Sequence, residues 1–175
     1  MLNQLKKEMQ TQQLKGLPFT LSANVIWITI SIIYSLNIDL SFKNLLTFCV
    51  SSIMLPIALL MAKRLKINIF AKDHPLTALG MTFTMNQMLY LFIVMLLMNR
   101  QPELMLISYA IVYAAHLFPY HWLYDSKTYQ WGSVILSISS LIIYLMTNHF
   151  ILSIYMVAFM GIFNYFLYRE TKQLC

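Results

Sequence analysis

Two histidines lie close together in residues 110–131, the stretch of this sequence richest in side chains that could do chemistry. His116 lies near the end of an apolar run, and Pro119 separates it from His121. Histidine is the commonest metal ligand, so one interpretation is a metal pair. However, two ligands share a helical face at a spacing of i, i+4, and these histidines are five residues apart with a proline between them. We therefore expect no metal and no cofactor, and we interpret Pro119 as a helix end or kink.

Serine is frequent, but its spacing favours helix packing over nucleophilic catalysis. Ser133, Ser137 and Ser140 recur on one face of an apolar run, where small side chains let helices approach closely. An activated nucleophile needs a neighbouring base, and none lies near Cys49 in the sequence. The sequence also has no phosphate-binding loop and no nucleic-acid motif. We expect a protein that is not an enzyme and does not bind nucleic acid; an enzyme that uses His116 is the remaining alternative.

The composition is that of an integral membrane protein. Hydrophobic residues make up 59% of the 175-residue chain and charged residues only 10%, whereas a soluble domain has about 25% charged residues. Apolar runs recur at the length that crosses the hydrocarbon core of a bilayer as a helix. The lipid bilayer is therefore the first expected partner, and the chain has room for one membrane domain.

Six apolar runs predict an all-α, polytopic membrane helix bundle with about six transmembrane helices over residues 16–168, followed by a tail at 169–175. The predicted spans are 17–36, 45–62, 76–98, 104–121, 132–147 and 150–168. The first is too long for the apolar core of a cleaved signal peptide, so we expect a retained anchor. Pro56 should kink the second span, because proline removes one backbone hydrogen bond. The fifth span is short, which leaves a re-entrant hairpin of the fifth and sixth as an alternative.

Residues 1–15 precede the first span and form an N-terminal segment with two interpretations. Leu2, Leu5 and Met9 fall at helical spacing among polar residues, as in a helix that lies on a membrane surface. The alternative is a disordered polar tail. Between the fourth and fifth spans, the segment 122–131 has an aromatic residue at both ends, as interfacial loops often do.

Positive charges indicate which way the chain crosses the membrane. If the N-terminus is cytoplasmic, ten of the twelve Lys and Arg residues lie inside, the most basic segment being 63–75, and only Lys43 and Arg100 lie outside. This bias over short loops follows the positive-inside rule. It predicts that both termini are cytoplasmic (N-in, C-in) and supports an even number of spans. It also puts Cys49 and Cys175 near opposite faces, so no disulfide is expected.

Neutral polar side chains within the predicted spans are the candidate binding site. They are Asn24, Asn86, Gln87, His116, Tyr120 and Asn164. A polar side chain that faces lipid is costly, so we expect these groups to turn inward and find one another. Every Asp and Glu lies outside the apolar runs, which argues against coupling to protons or sodium through a buried acid. Two interpretations stay open: a site for a small neutral or weakly polar solute, and hydrogen bonds that only hold helices together.

Three segments resemble a group of small, uncharacterised bacterial six-span membrane proteins. They are GLPF at Gly16–Phe19, the Asn86-Gln87 pair in the third span, and HLFPYHWLY at His116–Tyr124. The resemblance implies a multi-pass protein of a bacterial cytoplasmic (inner) membrane. It assigns no catalytic residue.

The sequence leaves two functions open. The first is a non-enzymatic membrane component, such as a small-solute carrier or a subunit of one. The alternative is a structural or regulatory membrane protein whose polar residues only pack helices. A carrier should have a water-reachable cavity at His116 and Asn86, whereas a structural protein should have these side chains packed against partners. Either function is compatible with a homo-oligomer or with another membrane partner.

Overall fold

The protein is a helical bundle; the computed structural model describes residues 1–67 and 74–173, and it has no strand among them. The helices of this part of the chain are α1 (Leu2–Gln13), α2 (Leu17–Ser35), α3 (Leu40–Ser52), α4 (Met54–Arg64), α5 (Pro75–Arg100), α6 (Met105–His116), α7 (Phe118–Tyr124), α8 (Lys127–Met146) and α9 (His149–Lys172), with 3₁₀ turns at Leu14–Gly16 and Pro102–Leu104. Lys72 in the basic segment and Cys175 lie outside the described residues.

Six helical segments of the described chain are long and apolar enough to cross a membrane: α2 with the preceding α1, α3 with α4, α5, the second 3₁₀ turn with α6 and α7, α8, and α9. This confirms the all-α, six-span fold predicted from the sequence. The fifth and sixth helices have 20 and 24 residues. At ~1.5 Å per residue, each is long enough to cross ~30 Å of hydrocarbon.

The fifth span begins earlier than its apolar run indicated, because the preceding turn caps the helix. The Ser126 side chain accepts a hydrogen bond from the backbone N–H of Tyr129, which satisfies one of the free donors at the helix start. The preceding helix, α7, continues to Tyr124. Most of the segment 122–131, which we predicted as a loop, is therefore helical, and only a turn around Asp125 separates α7 from α8.

Two spans are interrupted just before a proline. The second span breaks at Ile53, ahead of Pro56 in the first turn of α4. A proline ring clashes with the carbonyl of residue i−4 and has no N–H to donate to it, so the break one turn earlier removes the conflict. The fourth span breaks at Leu117, and Pro119 then lies in the first turn of α7. A missing N–H costs little at that position, because first-turn donors have no partner within the helix.

The interior of the bundle is centred on α2 and α6. α2 packs against α9, α3 and α4, and α6 packs against α5 and α8. Trp27 of α2 is buried, and its ring centroid is 5.4 Å from that of Tyr109 and 6.0 Å from that of Tyr113, both on α6. Helix association in lipid depends on such close packing, because lipid tails are as apolar as the side chains they replace.

The outer surface of the spans is apolar, as contact with lipid requires. Large hydrophobic side chains are exposed on all six spans. α5 is the most exposed of them, because Gln87 and Val94 are the only buried residues among its 26. α5 packs mainly against α6, with smaller contacts to α1 and α7. It is therefore a peripheral helix with most of its circumference facing outward.

Both ends of the described chain lie at one end of the bundle, which we call the terminal end. There Lys15, just before α2, forms an ion pair with Glu170 near the end of α9. At the opposite end, Asn44 of α3 donates from Nδ2 to the carbonyl oxygen of Pro102, 2.8 Å away. The pairing at the terminal end agrees with an even number of crossings. Whether that end is cytoplasmic stays a prediction from the positive charges.

Candidate functional site

Asn24 and Asn164 face the same contact between α2 and α9. Asn164 is only 6% exposed, and its Nδ2 donates to the backbone oxygen of Thr20, 3.2 Å away. Asn24 lies one helical turn after Thr20. A Cβ atom added to Gly161 of α9 would lie 3.8 Å from Asn24 Nδ2, an ordinary contact distance, so the Asn24 amide lies beside α9 at this residue. The structure thus brings together two of the six predicted site residues.

The carbonyl oxygens of these two amides are buried without a hydrogen-bond donor. Neither Oδ1 of Asn24 nor Oδ1 of Asn164 has a partner among the described residues. A buried acceptor left unpaired costs about 1–3 kcal/mol. A molecule that offers N–H or O–H groups at this contact would remove that cost. The α2–α9 contact therefore has the chemistry of a small hydrogen-bonding site.

Gln87 supplies a third buried amide, on α5. It is 5% exposed, and its Oε1 has no partner among the described residues. Gln87 lies one turn beyond Thr84 on the same face of the helix. The Thr84 hydroxyl is 2.8 Å from the hydroxyl of Tyr120, so this face of α5 is turned towards the bundle.

His116 and Tyr120 lie together where α6 passes into α7. Their ring centroids are 6.0 Å apart in an edge-on contact, and His116 also packs against Tyr113. His116 Nδ1 is 2.6 Å from the backbone oxygen of Tyr113, one turn earlier in the same helix. The Tyr120 hydroxyl donates to the Gly80 carbonyl of α5, 3.3 Å away. Tyr120 therefore links α7 to α5, and His116 packs between two tyrosines.

Asn86 lies apart from the other predicted site residues. Its side chain is exposed, and Nδ2 donates to the hydroxyl of Tyr90, 3.3 Å away on the same helix. The reason is geometric: adjacent helical residues point about 100° apart. With Gln87 on the face of α5 that packs inward, Asn86 falls on the side that does not. The expectation that all six polar groups turn inward is not met at this residue. His116 packs against Tyr113 and Tyr120, whereas Asn86 faces outward, so these two residues do not share the cavity that a carrier was expected to have at them.

Glu170 and Lys15 form the most connected polar group that the sequence analysis did not select. Glu170 Oε2 accepts from Lys15 Nζ at 3.1 Å and from Ser126 Oγ at 2.6 Å. Its Oε1 accepts from the backbone N–H and the hydroxyl of Thr128, at 2.9 and 2.6 Å. The carboxylate thus lies at the N-terminus of α8, where free N–H groups favour negative charge. It joins α8, α9 and the turn before α2.

The turn before α2 is held by this network and by two tyrosines. Leu14, Lys15 and Gly16 all have positive φ values, of 44°, 50° and 73°, which is unfavourable for the first two because they carry side chains. The Tyr129 hydroxyl donates to the Lys15 carbonyl at 2.9 Å. A Cβ atom on Gly16 would lie 3.1 Å from Tyr124 Cε2 and from Tyr129 Oη. A larger residue would therefore have to displace these side chains and would also adopt an unfavourable positive φ.

The sequence contains features from which this network of Lys15, Glu170, Ser126 and Thr128 could have been predicted. Lys15 and Glu170 are opposite charges placed just outside the first and last predicted spans, on the same predicted side. Ser126 and Thr128 are residues typical of a helix N-terminus, where a carboxylate binds well. We grouped all four with tails and loops, because the pairing depends on contacts between segments far apart in the chain.

The described residues do not assemble a group of three or more His, Cys, Asp or Glu side chains that could hold a metal ion. His116 and His121 have separate surroundings. His121 Nδ1 lies 3.1 Å from the backbone oxygen of Ser126, at the turn into α8, whereas the His116 ring contacts Tyr113 and Tyr120. Within the described spans, the buried side-chain atoms without a hydrogen-bond partner are the Ser31 hydroxyl and the amide oxygens of Asn24, Gln87 and Asn164.

Six helices that are long and apolar enough to cross a membrane, several with neutral polar groups inside them, indicate a multi-pass helical membrane protein. The chain belongs to the family of unknown function DUF7010, whose model matches residues 2–170. This match confirms the resemblance to a family without an assigned function. Neither the curated proteins nor the solved structures contain a match to the chain.

Proposed function

We propose that the protein is a non-enzymatic membrane component that binds a small neutral solute between α2 and α9, as a carrier or as a subunit of one. The observation that carries this proposal is the pair of buried amide oxygens on Asn24 and Asn164, which face one helix contact without donors. Amides that serve only to hold helices together gain their stabilisation by pairing across the interface. In this protein, the Oδ1 atoms of both amides remain without a hydrogen-bond donor among the described residues.

The chemistry of the site limits the solute. Its acceptors are amide oxygens, so the solute should offer N–H or O–H donors. The apolar runs contain no Asp, Glu, Lys or Arg, so an ionic solute would be desolvated without a counter-charge. A small neutral amide or polyol meets both conditions. Gly161 is exposed beside Asn24, so the Asn24 side of the contact lies next to the outer surface of the bundle, although the amide oxygen itself is buried.

Cysteine accessibility tests this proposal without knowledge of the solute. Cys49 and Cys175 are first replaced by serine, and single variants Asn24→Cys and Asn164→Cys are then treated with a membrane-impermeant maleimide from each side. We expect both cysteines to be labelled, because a solute pathway must be hydrated. Asn86→Cys is the matched control: the same residue type on the lipid-facing side of α5 should stay unlabelled.

The labelling results separate the two functions that the sequence leaves open. If both positions are protected in a protein that elutes as one folded species, the contact between α2 and α9 is not hydrated, and this result would contradict the carrier proposal. Labelling of Asn86→Cys at the same rate would mean that the reagent reaches lipid-facing positions, and the experiment would then be repeated with a larger maleimide. If both site positions are labelled, Asn24→Leu and Asn164→Leu should each abolish uptake of neutral solutes while leaving the fold intact.

A structural or regulatory role is the second candidate, and one contact favours it. The Asn164 amide donates from α9 to the Thr20 carbonyl on α2, which is the usual way an asparagine joins two membrane helices. This role predicts protection at both positions and a loss of stability, without a loss of uptake, in the Asn164→Leu variant.

We place the protein in the cytoplasmic membrane of a bacterium, with both termini inside. The support is the excess of Lys and Arg in the segments at the terminal end, together with the ion pair that puts Lys15 and Glu170 at that same end. Short basic loops stay on the cytoplasmic side during insertion.

A further inference from the structure

The exposed face of α5 carries a polar residue where lipid would be expected to meet only apolar ones. Asn86 lies near the middle of this 26-residue helix, and its side chain points away from the bundle. Its one hydrogen bond within the described chain is the 3.3 Å contact to Tyr90 on the same helix. An asparagine amide has two donor hydrogens and an acceptor oxygen. Within hydrocarbon, the remaining hydrogen-bonding capacity stabilises association with another helix.

The residues around Asn86 have the pattern of a two-helix seam. Exposed positions recur along α5 at alternating spacings of four and three residues: Thr82, Asn86, Leu89, Ile93 and Leu96. In the heptad description of a coiled coil, Asn86 and Ile93 take the a positions and Leu89 and Leu96 take the d positions. Isoleucine at a with leucine at d favours two parallel helices, and a single asparagine at a selects that state and its register.

The apolar members of this seam are free to pack. Leu89, Ile93 and Leu96 are 63%, 56% and 61% exposed. The exposed face of α8 provides a comparison, because Ile135, Ile138 and Ile142 repeat there at the same spacing without any polar residue. The alternating spacing of exposed residues is therefore common to outward-facing helix surfaces and does not by itself identify a dimer interface. The amide at an a position is what distinguishes α5.

We propose that α5 is a dimerisation helix, and that its partner is α5 of a second copy of this chain. Two copies inserted in the same direction and related by a two-fold axis along the membrane normal have parallel α5 helices, which is the arrangement the a and d residues favour. The two Asn86 amides then face each other across the axis, and each donates to the other because an amide is self-complementary. A second copy supplies this match without any further partner.

Disulfide trapping in native membranes tests the dimer. In the Cys-free background, Leu89→Cys places a thiol at a d position, where the paired residues of a parallel seam come within disulfide distance. We expect a covalent dimer after mild oxidation. Ile138→Cys on α8 is the matched control, equally apolar and exposed, and should give little dimer. Equal trapping at both positions, or none at Leu89→Cys, would overturn the proposal.

The role of the amide is tested by changing Asn86 itself. Asn86→Leu removes the hydrogen bonds and should raise the dimer dissociation constant by about tenfold, the effect of roughly 1–2 kcal/mol per buried polar contact. Asn86→Gln keeps the amide and should retain most of the affinity. The measurement is energy transfer between labelled copies diluted in lipid vesicles. Because the side chain faces lipid, neither change should unfold the monomer, and an unchanged dissociation constant for Asn86→Leu would rule out the seam.

Discussion

The carboxylate of Glu170 lies 3.1 Å from the ammonium group of Lys15, although 155 residues separate them in the sequence. Lys15 has only 7% of its side chain exposed, and Glu170 has 22%. Three further hydrogen bonds from Ser126 and Thr128 complete the environment of the carboxylate. The pair therefore closes the terminal end of the bundle by joining the first, fifth and sixth spans.

Glu170→Gln should destabilise the protein by about 1.5–3 kcal/mol, the usual value of hydrogen bonds to a charged group. The substitution removes the negative charge opposite Lys15. It also replaces one carboxylate oxygen with an NH₂ group, which cannot accept the hydrogen bonds that Ser126 or Thr128 donate. Thermal denaturation in detergent would measure the change. Glu103→Gln is the control, because Glu103 is exposed at the opposite end and should shift the midpoint very little. Equal midpoints for the two variants would contradict a stabilising role for the pair.

Gly132→Ala should destabilise the protein more than Gly161→Ala. A Cβ atom on Gly132 would lie 2.6 and 2.7 Å from two ring atoms of Phe163, and Phe163 is buried against Tyr129. Forcing that ring aside should cost about 1–3 kcal/mol. At Gly161 the nearest atom is 3.8 Å away, an ordinary contact, and alanine is the better helix former. Chemical denaturation of both variants would show whether the order is reversed.

Asn44→Leu should lower stability at the opposite end of the bundle. Asn44 is fully buried; its Oδ1 accepts from the Tyr34 hydroxyl at 2.6 Å, and its Nδ2 donates to the Pro102 carbonyl. Leucine would remove both of these hydrogen bonds, at a cost of about 1–3 kcal/mol. Asn99→Leu removes an exposed amide that bonds only within its own helix, so it should stay within about 0.5 kcal/mol of the parent. A denaturation series on the two variants is sufficient.

A reporter that is active only in the cytoplasm should give a signal when fused after residue 175. The expectation follows from the bias of Lys and Arg towards the segments at the terminal end. A second fusion in the Asn148 turn, at the opposite end, should be silent. Activity at Asn148 and silence at the C-terminus would invert the orientation while leaving the bundle unchanged.

The number of spans was predictable from the sequence because apolar length alone determines it. The positions of Pro56 and Pro119 also indicated where two spans break. The start of α8 was not predictable from hydropathy, because capping by Ser126 extends the helix through polar residues. Hydropathy indicates whether a segment favours lipid or water. It carries no information on how the end of a helix is capped.

The candidate site was predictable only in part. Polarity within a span identified Asn24, Gln87 and Asn164, which are buried or partly buried. It did not distinguish them from Asn86, because the direction of a side chain depends on which face of α5 meets α6. Glu170 was missed for the related reason that its partners come from other helices.

The position of Glu170 near the end of α9 has a consequence for the order in which the protein is completed. A ribosome adds residues in sequence, so Lys15 and the strained turn at Leu14–Gly16 are made long before the carboxylate that pairs with them. Until the sixth helix has entered the membrane, the start of α8 and the segment before α2 lack their shared anion. The ion pair at the terminal end can therefore form only after the last helix has been synthesised and inserted. A chain interrupted before Glu170 would keep an unpaired lysine at that end.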